Sequence, residues 1–169
     1  MDSTTLLYRL LASGDTVSCI SFDYGQRHRK ELAAARAICK ALKVSHQIIN
    51  IRTINSLLRG SALTDRVAVP EGHYQDKTMR ATVVPNRNMI FIAIAVASAI
   101  SKKFDRIALA IHAGDHAIYP DCRPDFVKKM QAAMLSANYE KIKLFTPFLR
   151  KTKKQIASIG RRLKVPFEK

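Results

Sequence analysis

Apolar positions along this chain follow two periods, and their alternation predicts a succession of helices and strands. TTLLYRLLAS, residues 4–13, places its leucines at helical spacing and runs into Gly14, a residue suited to end a helix. Asp2, Ser3 and Thr4 stand just ahead of the leucines, where short oxygen-bearing side chains accept from the first free N–H groups. VSCISFDY, residues 17–24, is β-rich and reads as a buried strand. From Gln26 to about Leu42, residues Leu32, Ala35, Ile38, Cys39 and Leu42 fall on one helical face, with basic residues opposite. His46 to Ile51 reads as the next strand. Asn86 to Lys103 is apolar almost all round, which predicts a central helix. A buried strand over Asp105–Ala113 follows, then a helix over 124–137 with Pro124 in its first turn. KIKLFTP is the last strand, and TKKQIASIGRRL the last helix, capped by Thr152.

Strands alternating with helices at this spacing predict an α/β fold, a doubly wound parallel sheet with helices on both faces. No repeat or interdomain linker interrupts it, so residues 1–169 read as a single domain. Each of the four strands pairs with a helix, while the front helix has no strand of its own. The first strand of such a sheet usually lies centrally, so the expectation is that an N-terminal strand is missing before Asp2. The polar stretch from Gly60 to Ala81 is long for a loop, a length that points to function or mobility.

Composition narrows the class. The chain is 47% hydrophobic, which excludes a disordered tail, and its longest apolar run, Asn88 to Ile100, is too short to span a bilayer. No secretory signal is visible, and Cys19, Cys39 and Cys122 are too scattered for a disulfide framework, so a reducing cytoplasm is expected. The net charge of +16 would attract polyanions, nucleic acid or nucleotide phosphates among them. Because the charge is spread along the chain, solvated helix faces explain it better than a dedicated nucleic-acid groove.

Candidate chemistry gathers after the strands and at helix starts. SFDYGQRH sets polar residues at the carboxyl edge of a strand, where such sheets bind ligands. VPNRN puts Arg87 at the head of the apolar helix, where a guanidinium can clamp an anion bidentately; a surface arginine would look the same. GDHAIYPDCRPDF offers Asp115, Tyr119, Asp121 and Arg123 after a strand, either as donors and acceptors for a heterocycle or as a structural loop. His112 and His116, four apart, sit on a loop rather than a helix, so they are not read as a metal pair. Lys153 opens the last helix as a candidate phosphate lysine or one more solvated cation.

Taken together, MDSTT (1–5), SFDYGQRH (21–28), VPNRNMIF (84–91) and YPDCRPDF (119–126) resemble the 7-cyano-7-deazaguanine synthases. These are nitrile-forming enzymes of queuosine-precursor synthesis, of the PP-loop ATP pyrophosphatase type with its adenine nucleotide α-hydrolase-like fold. GSALTD (60–65) and TPFLRKTKKQI (146–156) add weaker support. The resemblance implies an ATP-dependent carbon–nitrogen ligase that turns 7-carboxy-7-deazaguanine and ammonia into the nitrile through an adenylated carboxylate and amide. Carried over by position, Met1, Asp2, Ser3 and Thr4 belong to the ATP phosphate loop, with Asp2 ordering the loop or its Mg²⁺. Backbone near Phe22 and Tyr24 receives adenine. Gln26, Arg27, His28, Asn88, Asp115, Tyr119, Asp121 and Arg123 line the substrate side, while Arg87 and Lys153 supply catalytic positive charge. The family loop reads Ser-Gly-Gly-Met-Asp-Ser-Thr, and this chain carries only its last four residues, stopping also just short of the family's four-cysteine zinc segment. A truncated reading frame, an inactive relative and a chain completed by a partner all fit that pattern. No protein metal ligands and no zinc are expected from these residues, and the family implies a homodimer. Two other readings keep the fold but not the substrate: a PP-loop ATPase modifying tRNA, and a non-catalytic basic protein binding nucleotide or nucleic acid.

Overall fold

A computed structural model of the chain describes residues 1–26, 30–57 and 83–167. Arg27, His28 and the GSALTD stretch, with the long polar segment around it, lie outside the described residues. The elements run α1 (Asp2–Ala12), β1 (Ser18–Asp23), α2 (Lys30–Ala41), β2 (Ser45–Asn50), α3 (Arg87–Ser101), β3 (Arg106–Ala108), α4 (Pro124–Ala137), β4 (Lys143–Phe145) and α5 (Lys153–Arg162). They form two compact units, one of Thr16–Pro85 and one of Met1–Asp15 with Asn86–Lys169.

In the first of these, β1 and β2 pair in parallel, from Ser18 opposite Ser45 to Asp23 opposite Asn50. The predicted face of α2 is the one turned inward: Cys39 is buried and Leu32, Ala35, Ile38 and Leu42 are half-buried, while the lysines point out. β1 departs from the fully buried strand expected of its composition. All six residues are half-buried, because β2 is its one ladder partner among the described residues.

The other unit is built around β3 and β4, also parallel, with Arg106 opposite Lys143 and Ala108 opposite Phe145. Successive side chains of a strand leave opposite faces. Ile107 therefore packs with Ile92, Val96 and Ala99 of α3 and Met134 of α4. Ala108 and Ala110 turn the other way, onto Leu6 and Leu10 of α1, Phe148, and Ile156 and Ile159 of α5. Helices thus cover both faces of this strand pair, the doubly wound arrangement the pattern predicts. The β3 ladder is much shorter than Asp105–Ala113, because β4 has only three residues to offer. Beyond it the Leu109 N–H still donates to Phe145 O at 3.0 Å, and the Ala113 N–H to Lys151 O at 3.0 Å.

The two terminal helices begin in different ways. α5 begins with the expected Thr152 cap: Thr152 Oγ1 accepts from the Gln155 N–H at 3.3 Å, and Gln155 Oε1 accepts in return from the Thr152 N–H at 2.9 Å. α1 differs from expectation. Its N-cap is Met1, with no side-chain cap, and Asp2, Ser3 and Thr4 lie inside the helix rather than ahead of it. The helix starts two residues early, at Asp2, where the Thr5 N–H and hydroxyl both donate to Met1 O, at 2.9 and 3.0 Å.

Candidate functional site

In the unit that carries β3, the segment from Ile111 to Arg123 joins the heads of several helices. His112 is 2% exposed. Its Nδ1 accepts from the Gly114 N–H at 3.0 Å, so in the neutral ring the hydrogen sits on Nε2. Nε2 lies 3.6 Å from Asp2 Oδ2 at the start of α1 and 3.5 Å from Asp115 Oδ1. The other Asp115 oxygen accepts from the His112 N–H at 3.4 Å. Asp2 Oδ1 is buried and has no hydrogen-bond partner. Beside it, the N–H groups of Asp2, Ser3 and Thr4 occupy the first turn of α1, where helix geometry provides them no acceptor. Ser3 is exposed and Thr4 half-buried.

The same segment holds the head of α3. Asp121 Oδ2 accepts from the Asn88 N–H at 2.9 Å, replacing the cap that Asn86, in a left-handed conformation with φ of 56°, does not supply. The Asn88 amide donates to Asp121 O at 3.2 Å and to Cys122 Sγ at 3.1 Å. The Arg87 guanidinium lies over the Tyr119 ring, 5.5 Å from its centre. Cys122 is 3% exposed, and its thiol is pushed up to about 12, first by burial and then by the charges of Asp121 and Asp115. Such surroundings favour the protonated thiol and lower its nucleophilicity. The Arg123 Nε donates to His116 O at 2.9 Å, tying that guanidinium to the segment's own backbone. Lys153 is exposed at the first turn of α5.

The structure therefore gathers Asp2, Arg87, Asn88, Asp115, Tyr119 and Asp121 around one segment at the carboxyl end of β3. A shallow groove lined by Asp105, Arg106, Gln131 and Lys143 lies at the amino end, away from these residues. His112, through which Asp2 meets Asp115, is the residue that pattern reading considered only as a metal ligand. Its signal was a single histidine ending an apolar strand.

In the unit that carries β1, the rim after the strand is a tight turn. Gln26, 9% exposed, folds back so that its Oε1 accepts from the Tyr24 N–H and its Nε2 donates to Phe22 O, each at 3.1 Å. Gly25 has φ of 85°, a conformation that disfavours other residues. Asp23 Oδ1 accepts from the Gly25 N–H at 3.2 Å. Asp23 also takes Arg52 as a two-pronged pair, with both N–O distances 2.8 Å. Arg52 is held above its ordinary range by the Asp23 hydrogen bond. Neither Asp23 nor Arg52 stood out in the sequence, because an ion pair between strand ends has no local pattern.

Among the described residues no group of three or more His, Cys, Asp or Glu side chains has the geometry to hold a metal ion by itself. No helix of the described residues is long and apolar enough to cross a membrane.

Parallel strands with helices on both faces, and polar residues gathered at the carboxyl end of a strand, define an α/β fold of the doubly wound kind. A solved structure shares it: the U34-tRNA thiolase NcsA from Methanococcus maripaludis with its 4Fe-4S cluster. It superposes at a TM-score of 0.55 over 99% of this chain at 16% identity, and the chain spans 55% of its length. The family profile for queuosine biosynthesis protein QueC matches residues 1–169. The relatives agree. The 7-cyano-7-deazaguanine synthase of Hahella chejuensis is 52% identical over 160 residues, 95% of this chain and 69% of that protein. Those of Pseudoalteromonas translucida and Brucella ovis are each 50% identical, over 95% and 99% of this chain and 73% of theirs. The chain belongs to the QueC family of queuosine biosynthesis proteins.

Proposed function

We propose that this protein converts 7-carboxy-7-deazaguanine and ammonia to 7-cyano-7-deazaguanine at the expense of two ATP. The observation that carries this reading is the convergence of the α1 head, the α3 head and the 111–123 segment on one end of β3, in a chain about half identical to synthases of that name. A carboxylate is a poor electrophile, so its oxygen first attacks the α-phosphorus of ATP and pyrophosphate leaves. Ammonia then displaces AMP to give the amide. The amide oxygen attacks a second ATP, pyrophosphate leaves again, and loss of AMP and a proton yields the nitrile. Each activation brings anions together, so placement and positive charge provide the catalysis.

In this reading the first-turn N–H groups of α1, with the Ser3 and Thr4 side chains, take phosphate oxygens. Arg87, stacked on Tyr119, neutralises the substrate carboxylate or phosphate, and Lys153 adds charge at the head of α5. Asn88 and Asp121 fix the head of α3, and Asp115 and Arg123 fix the segment that carries Tyr119. Asp2 fits Mg²⁺: it presents a buried carboxylate oxygen with no partner, and this ion is commonly held by one or two carboxylates plus phosphate and water. When bound, Mg²⁺ neutralises phosphate oxygens. The residues present do not fit zinc. Cys19 and Cys39 adjoin each other, Cys122 belongs to the other unit, and no tetrahedral set forms among the described residues. Kinship to the family supports a homodimer working in the cytoplasm.

The test is a reaction containing the purified chain, ATP, Mg²⁺, ammonium and 7-carboxy-7-deazaguanine. Nitrile should appear with two AMP formed for each one. ATP consumption without nitrile, or none at all, overturns the assignment.

A further inference from the structure

We propose that His112 is the positioning residue for the Asp2 carboxylate, holding it at the head of α1 so that its free oxygen meets the cation that accompanies ATP. This rests on the reading of Asp2 given above. The ring has little freedom. It is 2% exposed, its Nδ1 is committed to the Gly114 N–H, and a side chain at Gly114 would come within 3.0 Å of the ring carbon Cε1. That commitment fixes which edge faces the carboxylates. Nε2 lies 3.6 Å from Asp2 Oδ2 and 3.5 Å from Asp115 Oδ1, facing both carboxylates at distances longer than a short hydrogen bond. Asp115 is tied to the His112 backbone through its other oxygen, so the ring and Asp115 form one rigid group. Asp2 has no such second tie, since its Oδ1 is buried with no partner. One oxygen facing a histidine and the other buried without a partner is the geometry of a ligand whose orientation is set from behind.

Two substitutions separate this role from a purely structural one. His112→Asn keeps an acceptor near the Nδ1 position for the Gly114 N–H but loses the donor toward Asp2. His112→Gln reaches the Nε2 position with an N–H donor but loses the acceptor for Gly114. Calorimetric titration with ATP over a range of Mg²⁺ concentrations gives the Mg²⁺ needed for half-maximal binding. Circular dichroism checks that each variant is folded. H112N is expected to raise that concentration about tenfold or more, the usual effect of removing an outer-shell partner, and H112Q to raise it far less. Wild-type behaviour of H112N, or a larger effect of H112Q than of H112N, overturns the proposal and leaves the ring as a turn cap. D2N, measured alongside, keeps the two readings apart. If D2N leaves the Mg²⁺ dependence unchanged, the role of Asp2 fails and this inference with it. If D2N abolishes the dependence while H112N does not, only the inference fails.

Discussion

Cys122 should make the protein lose stability in alkali, and the size of the loss follows from its surroundings. Its thiol is raised from 9.0 to about 12, with burial the largest cause, Asp121 and Asp115 adding to it, and Arg87 and Asn88 opposing. In the unfolded chain the thiol titrates near its ordinary value. Between these two values the unfolded state gives up a proton that the folded state keeps, so unfolding becomes easier as pH rises. The contribution is fully present below the unfolded value and is lost as pH climbs toward the folded one. From about pH 8 to about pH 10 the loss comes to about 1.4 kcal/mol.

Urea denaturation of the wild type and Cys122→Ala across that range isolates the term, because every other titrating group is common to both. The variant starts less stable but should fall less steeply, by about 1.4 kcal/mol over the two pH units. A second reading uses chemistry: iodoacetamide at about pH 9 should spare Cys122 in the folded protein and label it in urea. Parallel stability curves for the two proteins would refute the reasoning, since they would mean that Cys122 ionises alike in both states.

Further outcomes follow from packing and backbone geometry. Lys43, Lys103 and Lys164 end three helices with φ of 56°, 60° and 57°, each followed by an apolar residue whose N–H returns to the helix. Replacing any of them by glycine should stabilise by about 0.5–1 kcal/mol in urea melts. Gly25→Ala, at φ of 85°, should cost about 1–2 kcal/mol by the same measurement. Ile156→Ala empties a fully buried position between α1 and α5 and should cost about 2–5 kcal/mol.

The helices were legible because their signals are local. Leu32, Ala35, Ile38, Cys39 and Leu42 define the inner face of α2 by spacing alone, and Thr152 with Gln155 marks the start of α5 by two side chains. The extent of β3 was not legible, since a ladder is as long as its shorter strand and β4 lies some 35 residues away. The start of α1 was misplaced for a different reason. Three consecutive residues could each cap a helix, and the choice of Met1 is made by Thr5 from within the first turn. The left-handed lysines also escaped notice, because glycine is the usual sign of that conformation and lysine can adopt it at a modest cost.

The segments that meet at the end of β3 were legible from their places after a strand or at the head of a helix. Asp121 and Arg123 have the chemistry to read a heterocycle, yet a buried backbone makes the same demand on a carboxylate or guanidinium as a ligand does. Here the Asn88 N–H takes one oxygen of Asp121, and His116 O takes the Nε of Arg123. Gln26 similarly spends its amide on Phe22 and Tyr24. Each such commitment fixes the position of a neighbour that carries charge or an aromatic face. Asp121 anchors the helix head from which Arg87 projects, and Arg123 braces the loop that presents Tyr119 to it.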